Sequence, residues 1–222
     1  MIGLIAAIAR DGAIGHQGHL PWPPLAQDRL FFRSATTALH PLEVAQHYCR
    51  YPNSIDMMSA SGMFARTDQN AVVMGRRTWE SLPAPLAERI PMILTHTSPF
   101  DWTPRDACVT GTLPAALDLA ARLDAPHTWV IGGAQVYADA LCLPALAGGV
   151  RVLCLTEVDA EYPDAETRWP AIWLPEDTDP EQRVTKVQPD GTRRHWSRTH
   201  VSAWVTEPDR PRYRFGIWER RS

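Results

Sequence analysis

Hydrophobic and polar positions follow two alternating spacings along most of the chain. Short apolar runs predict buried strands at MIGLIAAIA, AVVMG, RIPMILTH, HTWVIGG and VRVLCLTEV. Between these runs, apolar residues recur at helical spacing in LAQDRLFFRSAT, RRTWESL, LPAALDLAARL and AQVYADALCL. Strands that alternate with helices in this way predict an α/β fold, with a central, mostly parallel sheet and flanking helices.

The end of the chain has a different pattern. HVSAWVTE and YRFGIWER alternate in polarity and are separated by the turn signal PDRP, so they predict an antiparallel hairpin at the edge of the sheet. No internal repeat or low-complexity linker interrupts the sequence. We therefore expect one domain over residues 1–222.

Composition and charge exclude several classes of function. With 22 Lys and Arg against 25 Asp and Glu, the net charge is −3 and no basic run indicates nucleic-acid binding. The opening MIGLIAAIA is too short to span a bilayer and lacks a basic flank, so we expect neither a membrane segment nor a secretory signal. The four cysteines form no CxxC pair and lie at no zinc-ligand spacing, which favours free thiols in a cytosol and no metal site.

Two predicted strands run into glycines and then into helices. In VIGGAQVY, residues 130–137, adjacent glycines allow close backbone approach to a ligand, and the following helix start suits phosphate. In VVMGRRTWESL, residues 72–82, a basic pair opposes the helix dipole, which a bound polyphosphate would explain. The alternatives are a tight turn without ligand at the first site and two solvated arginines at the second. Taken together, the two turns favour a nucleotide that lies across the strand ends.

Asp28 is placed unusually for a charged residue. Leu25, Phe31, Phe32 and Ala35 share its helix face at offsets of three, four and seven. An ordinary interpretation is a first-turn carboxylate that complements the helix dipole. Because a charge among apolar groups is costly without a partner, the sequence also indicates a ligand with hydrogen-bond donors.

The ordered blocks of this sequence resemble the dihydrofolate reductase family. MIGLIAAIARDGAIG, LPW, the helix with Asp28, VVMGRRTWESLP, VIGGAQVY, LTEVDAE and YRFGIWERR are similar to that family's blocks, in its order. The resemblance covers most of residues 1–36 and 71–170. It implies NADPH-dependent reduction of 7,8-dihydrofolate to tetrahydrofolate for one-carbon metabolism, by a cytoplasmic monomer that is an antifolate target.

The resemblance also implies roles for individual residues around the substrate. Asp28 would bind the pterin ring nitrogen and 2-amino group, Thr156 would help to fix them, and burial would raise the pKa of Asp28. Trp22 and Leu20 would belong to a loop that closes over nicotinamide and substrate. The substrate-binding residues implied are Ile5, Ala7, Phe32, Leu82, Leu86, Arg89, Ile131 and Tyr137, with Arg89 on the glutamate α-carboxylate.

The resemblance also implies which residues bind the cofactor. The two glycine turns would hold the NADPH phosphates, and the end of RIPMILTH would contact the adenosine 2′-phosphate. The residues implied are Ala7, Ile14, Gly15, Gly75, Arg76, Arg77, Thr78, Leu94, Thr95, His96, Gly132, Gly133, Ala134, Gln135, Val136 and Tyr137. Ala134 replaces the third glycine that is frequent in this family.

Residues 37–70 have no counterpart in the family pattern. PLEVAQHYCRY and SIDMMSASGMFAR predict two short helices, and the segment has too many apolar residues for a solvated linker. We expect it to be partly helical and folded against the domain as a structural appendage. The alternative is that it flanks the benzoylglutamate end of the folate site and alters inhibitor access.

Two other functions remain open at this stage. A pyrimidine reductase of riboflavin synthesis shares the fold and cofactor, although Asp28 with Trp22 argues against its ribosyl phosphate substrate. A catalytically silent folate-binding protein is the second alternative. Loss of NADPH absorbance with dihydrofolate separates the reductase from both.

Overall fold

The computed structural model describes residues 1–53, 69–97, 102, 104–143, 149–170, 183–187 and 193–221. Within them, the helices are α1 (Ala26–Thr37), α2 (Pro41–Arg50), α3 (Arg76–Ser81), α4 (Leu113–Arg122) and α5 (Ala134–Cys142). The strands are β1 (Ile2–Ala9), β2 (Ala13–Gly15), β3 (Asn70–Gly75), β4 (Arg89–Leu94), β5 (Cys108–Thr110), β6 (Thr128–Gly132), β7 (Val152–Val158), β8 (Thr167–Arg168), β9 (Arg183–Val187), β10 (Arg193–Val201) and β11 (Tyr213–Arg221). The predicted strands and helices up to Val158 that fall on described residues are confirmed.

Nine of these strands form one sheet, in the order β5–β4–β3–β6–β1–β7–β11–β10–β9. Neighbours from β5 to β7 run parallel, whereas β11, β10 and β9 run antiparallel to the strands beside them. Strands β2 and β8 form a separate two-stranded sheet. The predicted class, a mostly parallel α/β sheet with an antiparallel edge, is confirmed.

The antiparallel edge differs in detail from the predicted hairpin. Strand β10 begins at Arg193 and takes only His200 and Val201 from HVSAWVTE. A register shift between Arg198 and His200 bends the strand, and the chain then leaves it. Strand β11 lies inside the sheet, and β9 is the outermost strand on this side.

The two faces of the sheet bury separate apolar clusters. On β1, Leu4, Ala6 and Ile8 pack on the face covered by α4 and α5. Ile5 and Ala9 point to the opposite face, where α1 and α2 pack. A central strand that is buried on both faces explains the continuous apolar run at the start of the sequence. No helix among the described residues is long and apolar enough to cross a membrane.

Helix α2 belongs to the segment that the family pattern lacks, and it is part of the core. Tyr48 is fully buried, and its hydroxyl lies 3.2 Å from Ser34 Oγ on α1. Its ring centroid lies 5.5 Å from that of Phe31 and 6.0 Å from that of Phe215. The first predicted helix of this segment is therefore confirmed, whereas SIDMMSASGMFAR lies outside the described residues.

Candidate active site

Asp28 lies in the first turn of α1, where the helix faces the sheet. Thr156 on β7 is buried, and its hydroxyl donates a 2.6 Å hydrogen bond to Asp28 Oδ1. No side chain or backbone group of the described residues donates to Asp28 Oδ2. The two residues that sequence similarity paired thus lie together, and one carboxylate oxygen is left for a ligand.

The surroundings of Asp28 disfavour its charge. Burial raises the pKa of Asp28 to about 6, the hydrogen bond from Thr156 lowers it, and the charge of Glu207 raises it. A carboxyl group with this pKa changes protonation state between mildly acidic and neutral pH. Such a group can bind ligand donors and also respond to the proton supply of a reaction.

Apolar side chains surround this acid in a single cluster. Leu25 and Phe31 of α1 are buried within it, as the helical spacing predicted. The cluster also brings together most of the predicted substrate-binding residues, from four separate parts of the chain. Its members from that prediction are Ile5, Ala7, Phe32, Leu82, Leu86 and Ile131.

Tyr137 joins the site from α5. Its hydroxyl donates a 3.0 Å hydrogen bond to the backbone oxygen of Ile5. Burial raises the pKa of Tyr137, and the negative charge of Asp28 raises it further, so this phenol stays neutral beside the acid. A Cβ atom added at Gly132, where φ is +113°, would lie 3.0 Å from the Tyr137 ring. Glycine at this position therefore lets the backbone and the ring pack closely.

The two glycine turns are neighbours at the ends of the adjacent strands β3 and β6. A Cβ atom at Gly133 would lie 3.5 Å from Thr78 Oγ1, and one at Gly75 would lie 3.4 Å from Val136. Gly133 also precedes α5, whose first residues Ala134 and Gln135 are helical. The two turns therefore lie next to each other, and their backbones form one continuous rim.

Arg76 is already partnered in this rim. Its Nε donates to Glu80 Oε1 at 2.6 Å, and its Nη1 donates to Thr97 Oγ1 at 2.9 Å. Its guanidinium carbon lies 4.9 Å from the ring centroid of Trp102. Arg77 beside it is exposed. The intramolecular ion pair gives a reason, other than phosphate, for a basic residue at this helix start.

The segment after β4 lies beside Arg76. Leu94 ends the strand and is half-buried, and Thr95 accepts a 3.0 Å hydrogen bond from the backbone of Thr97. His96 is exposed at the same strand end. The predicted contact region for the adenosine end therefore lies at the sheet edge with the two glycine turns.

Arg89 begins β4 and is buried near the C-terminal end of α1. Its Nη1 donates to Thr36 Oγ1 and its Nε donates to the backbone oxygen of Ala87, both at 2.9 Å. Its guanidinium carbon lies 5.7 Å from the ring centroid of Phe32. Burial and the charge of Arg33 lower the pKa of Arg89 to about 10, against an opposing effect of Glu88. Within the described residues no carboxylate is paired with this buried cation.

The residues of the loop that was predicted to close over the site differ in burial and in contacts. Trp22 is buried, its ring centroid lies 5.6 Å from that of Tyr162, and its Nε1 has no acceptor among the described residues. Leu20, in contrast, is 48% exposed and lies outside the apolar cluster. Ile14 and Gly15 lie on β2, where Gly15 pairs with Thr167 of β8. The structure thus buries Trp22 in the apolar cluster, whereas Leu20 lies outside it.

Glu207 is part of this site although it is not among the residues predicted from the sequence. It lies in the loop between β10 and β11, and both of its carboxylate oxygens accept from the backbone N–H of Ala26 at 3.1 Å. The available signal was the residue at the N-cap of α1, since Leu25 has no side-chain acceptor for the first N–H groups. An apolar N-cap predicts that a distant residue accepts hydrogen bonds from the first helical N–H groups, but it does not indicate which residue.

The fold and these residues define an α/β domain in which a half-buried acid lies within an apolar cluster, beside a glycine-lined rim. The dihydrofolate reductase family model matches residues 61–197. The chain is 34% identical over 177 residues to dihydrofolate reductase of Encephalitozoon cuniculi, covering 78% of this chain and 75% of that protein. It is 31% identical over 183 residues to dihydrofolate reductase of Mus musculus, covering 78% and 80%. The chain belongs to the dihydrofolate reductase family.

Some relatives are much longer than this chain. The bifunctional dihydrofolate reductase-thymidylate synthase of Glycine max is 30% identical over 177 residues, which cover 76% of this chain and 28% of that protein. The match with a second bifunctional protein, from Daucus carota, also covers 28% of its length. The chain therefore spans little more than a quarter of these relatives.

Proposed function

We propose that this protein reduces 7,8-dihydrofolate to 5,6,7,8-tetrahydrofolate with NADPH, and so supplies tetrahydrofolate for one-carbon metabolism. The observation that carries this proposal is the hydrogen bond of 2.6 Å between Thr156 and Asp28 inside the apolar cluster, where we propose the ligand-binding cleft. It holds one carboxylate oxygen and leaves the other for the two donors at the edge of a pterin ring. Family membership gives the substrate class.

Trp22 and Tyr137 add to the pterin end of this proposal. The buried indole N–H of Trp22 has no acceptor among the described residues, so it can donate to a ligand or a bound water. Tyr137 keeps its hydroxyl on the backbone of Ile5, which fixes the ring at the side of the cleft. Both side chains would restrict how a flat ring enters beside Asp28.

Arg89 supports binding of the other end of the substrate. It is buried without a carboxylate partner among the described residues, and an unpaired buried cation is costly unless a ligand completes it. Its partner Thr36 is eight residues after Asp28 on α1, which corresponds to about 12 Å along the helix axis. An elongated substrate with a ring at one end and a carboxylate at the other fits this separation.

NADPH is compatible with the glycine-lined rim. A Cβ atom at Gly132 would lie 3.0 Å from the Tyr137 ring, whereas one at Gly75 would make an ordinary contact of 3.4 Å with Val136. Because glycine keeps side-chain atoms out of both turns, the backbone N–H groups at the start of α5 can approach a diphosphate. The residues that would hold the cofactor are those at the two turns and the end of β4: Gly75, Arg76, Arg77, Thr78, Leu94, Thr95, His96, Gly132, Gly133, Ala134, Gln135 and Val136. When bound, NADPH supplies the hydride for pterin C6.

The side chains of the cleft have separate tasks in this reaction. Asp28 would orient the pterin and favour protonation of N5, with the proton delivered by water. Because its pKa is raised to about 6, part of the Asp28 population stays protonated in mildly acidic solution. The surrounding apolar residues would exclude bulk water and strengthen these polar contacts.

We also propose that the protein acts as a cytoplasmic monomer. Cys49 and Cys154 are buried thiols, and Cys108 is also free, which suits a reducing compartment.

A spectrophotometric assay tests the activity. Purified protein with NADPH and dihydrofolate is expected to lose NADPH absorbance at a rate proportional to the protein concentration, and an antifolate should stop the reaction. The Asp28→Asn variant and a mixture without dihydrofolate serve as controls. Oxidation of NADPH only with the pyrimidine substrate of riboflavin synthesis, or with neither substrate, would contradict the proposal.

A further inference from the structure

Helix α1 receives its N-terminal cap from a distant part of the chain. Leu25 at the N-cap position offers no side-chain acceptor. Instead, Glu207 accepts hydrogen bonds from the backbone N–H of Ala26 at 3.1 Å and of Gln27 at 3.2 Å. These are the first two of the N–H groups that a helix leaves without internal partners. A negative group at this end also complements the helix dipole.

The carboxylate of Glu207 is held in place from the sheet. Tyr213 on β11 is fully buried, and its hydroxyl donates to Glu207 Oε1 while accepting from the N–H of Gln27 at 3.2 Å. Partial burial opposes ionisation of Glu207, but the hydrogen bonds from Tyr213, Ala26 and Gln27 and the charge of Arg210 outweigh it and lower its pKa. Glu207 is therefore negatively charged at neutral pH.

Asp28 is the third residue of the same helix, directly after the two residues that Glu207 caps. The polar groups that face it are Thr156 from β7, Tyr137 from α5, Tyr213 from β11 and Glu207 from the loop between β10 and β11. Both tyrosines stay neutral, because burial and the nearby carboxylates raise their pKa values. Among these groups, Glu207 is the one whose full charge acts on Asp28.

We propose that Glu207 is a positioning residue for Asp28, since it fixes the first turn of α1 against β11 and places a second negative charge beside the acid. The consequence for catalysis rests on the proposed function, whereas the coupling of the two carboxylates is a property of the protein without ligand. Removing the charge of Glu207 makes Asp28 easier to ionise. Shortening the side chain loosens the helix start but keeps the charge.

The coupling is tested by following the Asp28 carboxyl carbon by NMR during a pH titration of the protein without ligands. The Asp28 signal is the one that Asp28→Asn removes. Glu207→Gln keeps an oxygen for the two N–H groups and removes the charge, so the Asp28 midpoint is expected to fall by about 0.5 pH unit or more. Glu161→Gln, at an exposed glutamate paired with Arg10, should leave the midpoint unchanged. An unchanged midpoint in Glu207→Gln would overturn the proposal.

The Glu207→Asp variant separates the effect of the charge from the effect of the side-chain length. It should leave the Asp28 midpoint close to the wild-type value while lowering the melting temperature, because the shorter side chain no longer reaches the helix N–H groups. If Glu207→Asp moved the midpoint as far as Glu207→Gln does, the charge would not be the cause and the proposal would be wrong. If Glu207→Gln folds poorly, the melting temperature of Glu207→Asp still tests the positioning role, because an unchanged value would overturn the cap on α1.

Turnover then tests the catalytic consequence. The pH profile of kcat/KM in Glu207→Gln is expected to move to lower pH by the same amount as the NMR midpoint. An NMR shift without any shift of the profile would overturn the role of Glu207 in catalysis. If the wild-type protein had no dihydrofolate reductase activity but the NMR shift were present, the proposed function would fail and the carboxylate coupling would stand.

Discussion

Thr156 on β7 donates a 2.6 Å hydrogen bond to Asp28 on α1, although the two residues are 128 positions apart in the chain. This contact holds the acid within the apolar cluster and, in the proposed function, decides which of its oxygens faces the ligand. The first prediction follows directly. Asp28→Asn should lower turnover at neutral pH by about 100-fold, because the amide cannot offer a charged acceptor to the pterin edge.

The matched control for that variant is Asp118→Asn, at an exposed aspartate on α4 that pairs with Arg122. It should retain wild-type turnover. Steady-state assays of both variants, with circular dichroism to verify folding, make the measurement. Near-wild-type turnover in Asp28→Asn would remove the assigned role.

Asp28 should also make the stability of the protein without ligand depend on pH. Its pKa is about 6 in the folded state, whereas the ordinary value of 3.8 applies to the unfolded chain. The folded state therefore binds more protons between these values, and this contribution to the free energy of unfolding falls as pH rises from about 4 to 6. At pH 7, Asp28→Asn should be more stable than the wild type by about 1 to 3 kcal/mol.

Urea denaturation of both proteins at pH 4, 5, 6 and 7 measures this difference. Titrations that the two proteins share cancel, so the difference in unfolding free energy isolates Asp28. The difference in unfolding free energy between Asp28→Asn and the wild type is expected to grow as pH rises through this range. A gap that is constant or shrinks would mean that the pKa of Asp28 is not raised.

Arg76 gives a prediction about the cofactor. We expect NADPH to be preferred over NADH, because the negatively charged 2′-phosphate can form an ion pair with Arg76 in the rim. Arg76→Ala should lower kcat/KM with NADPH by about tenfold and change the value with NADH much less. Arg122→Ala, which removes an arginine from an equivalent i,i+4 pair on α4, should affect neither. Equal losses with both cofactors would refute a contact with the 2′-phosphate.

Arg89 should matter only for substrates that carry the glutamate tail. Arg89→Lys keeps a positive charge but loses the two-pronged geometry that binds a carboxylate, so KM for dihydrofolate should rise about tenfold or more. A dihydropterin without the tail provides the internal control, since its KM should be unchanged in the same variant. Equal changes for both substrates would assign Arg89 a structural role through Thr36 instead.

Tyr48 tests the role of the inserted segment. Its burial against Phe31 and Phe215 predicts that Tyr48→Ala destabilises the protein by about 3 kcal/mol, and that Tyr48→Phe costs only about 1 kcal/mol through the lost contact with Ser34. KM for dihydrofolate should be unchanged in Tyr48→Phe. A large change in KM with intact stability would favour a direct role of this segment at the substrate.

Helix α2 also shows why that segment cannot be removed as a unit. It packs against α1, β10 and β11, whereas Arg89 contacts Phe32 and Thr36 on α1 from β4. Replacing residues 39–69 with a short turn would therefore remove Tyr48 from the core. The role of residues 37–70 at the substrate tail stays a prediction.

Local sequence patterns predicted the strands, turns and helix faces that are determined by residues close together in the chain. Apolar runs located β1 and β6 because central strands are buried on both faces, and glycines at Gly75 and Gly132 marked the strand ends. Helical spacing placed Asp28 correctly among Leu25 and Phe31. The assignment of each predicted site residue to a ligand contact stays a prediction.

Long-range contacts were not predictable in the same way. Nothing local connects Glu207 with Ala26, because a cap that arrives from 181 residues away depends on the position of β11 in the sheet. The partner of Arg76 was also missed, since Glu80 lies one helical turn away and can form the same ion pair in any exposed helix. The exposed position of Leu20 likewise depends on how its loop packs.

Ala7, Thr156 and Phe215 lie side by side on β1, β7 and β11, which are neighbours in the sheet. The proposed cleft beside Asp28 therefore forms only after β1 and β11, which are far apart in the sequence, have both paired with β7. Contacts this far apart form slowly, because a large loop must close before they can stabilise anything. During refolding, binding of a fluorescent antifolate should return with the last strand pairing and lag behind the recovery of helical circular dichroism.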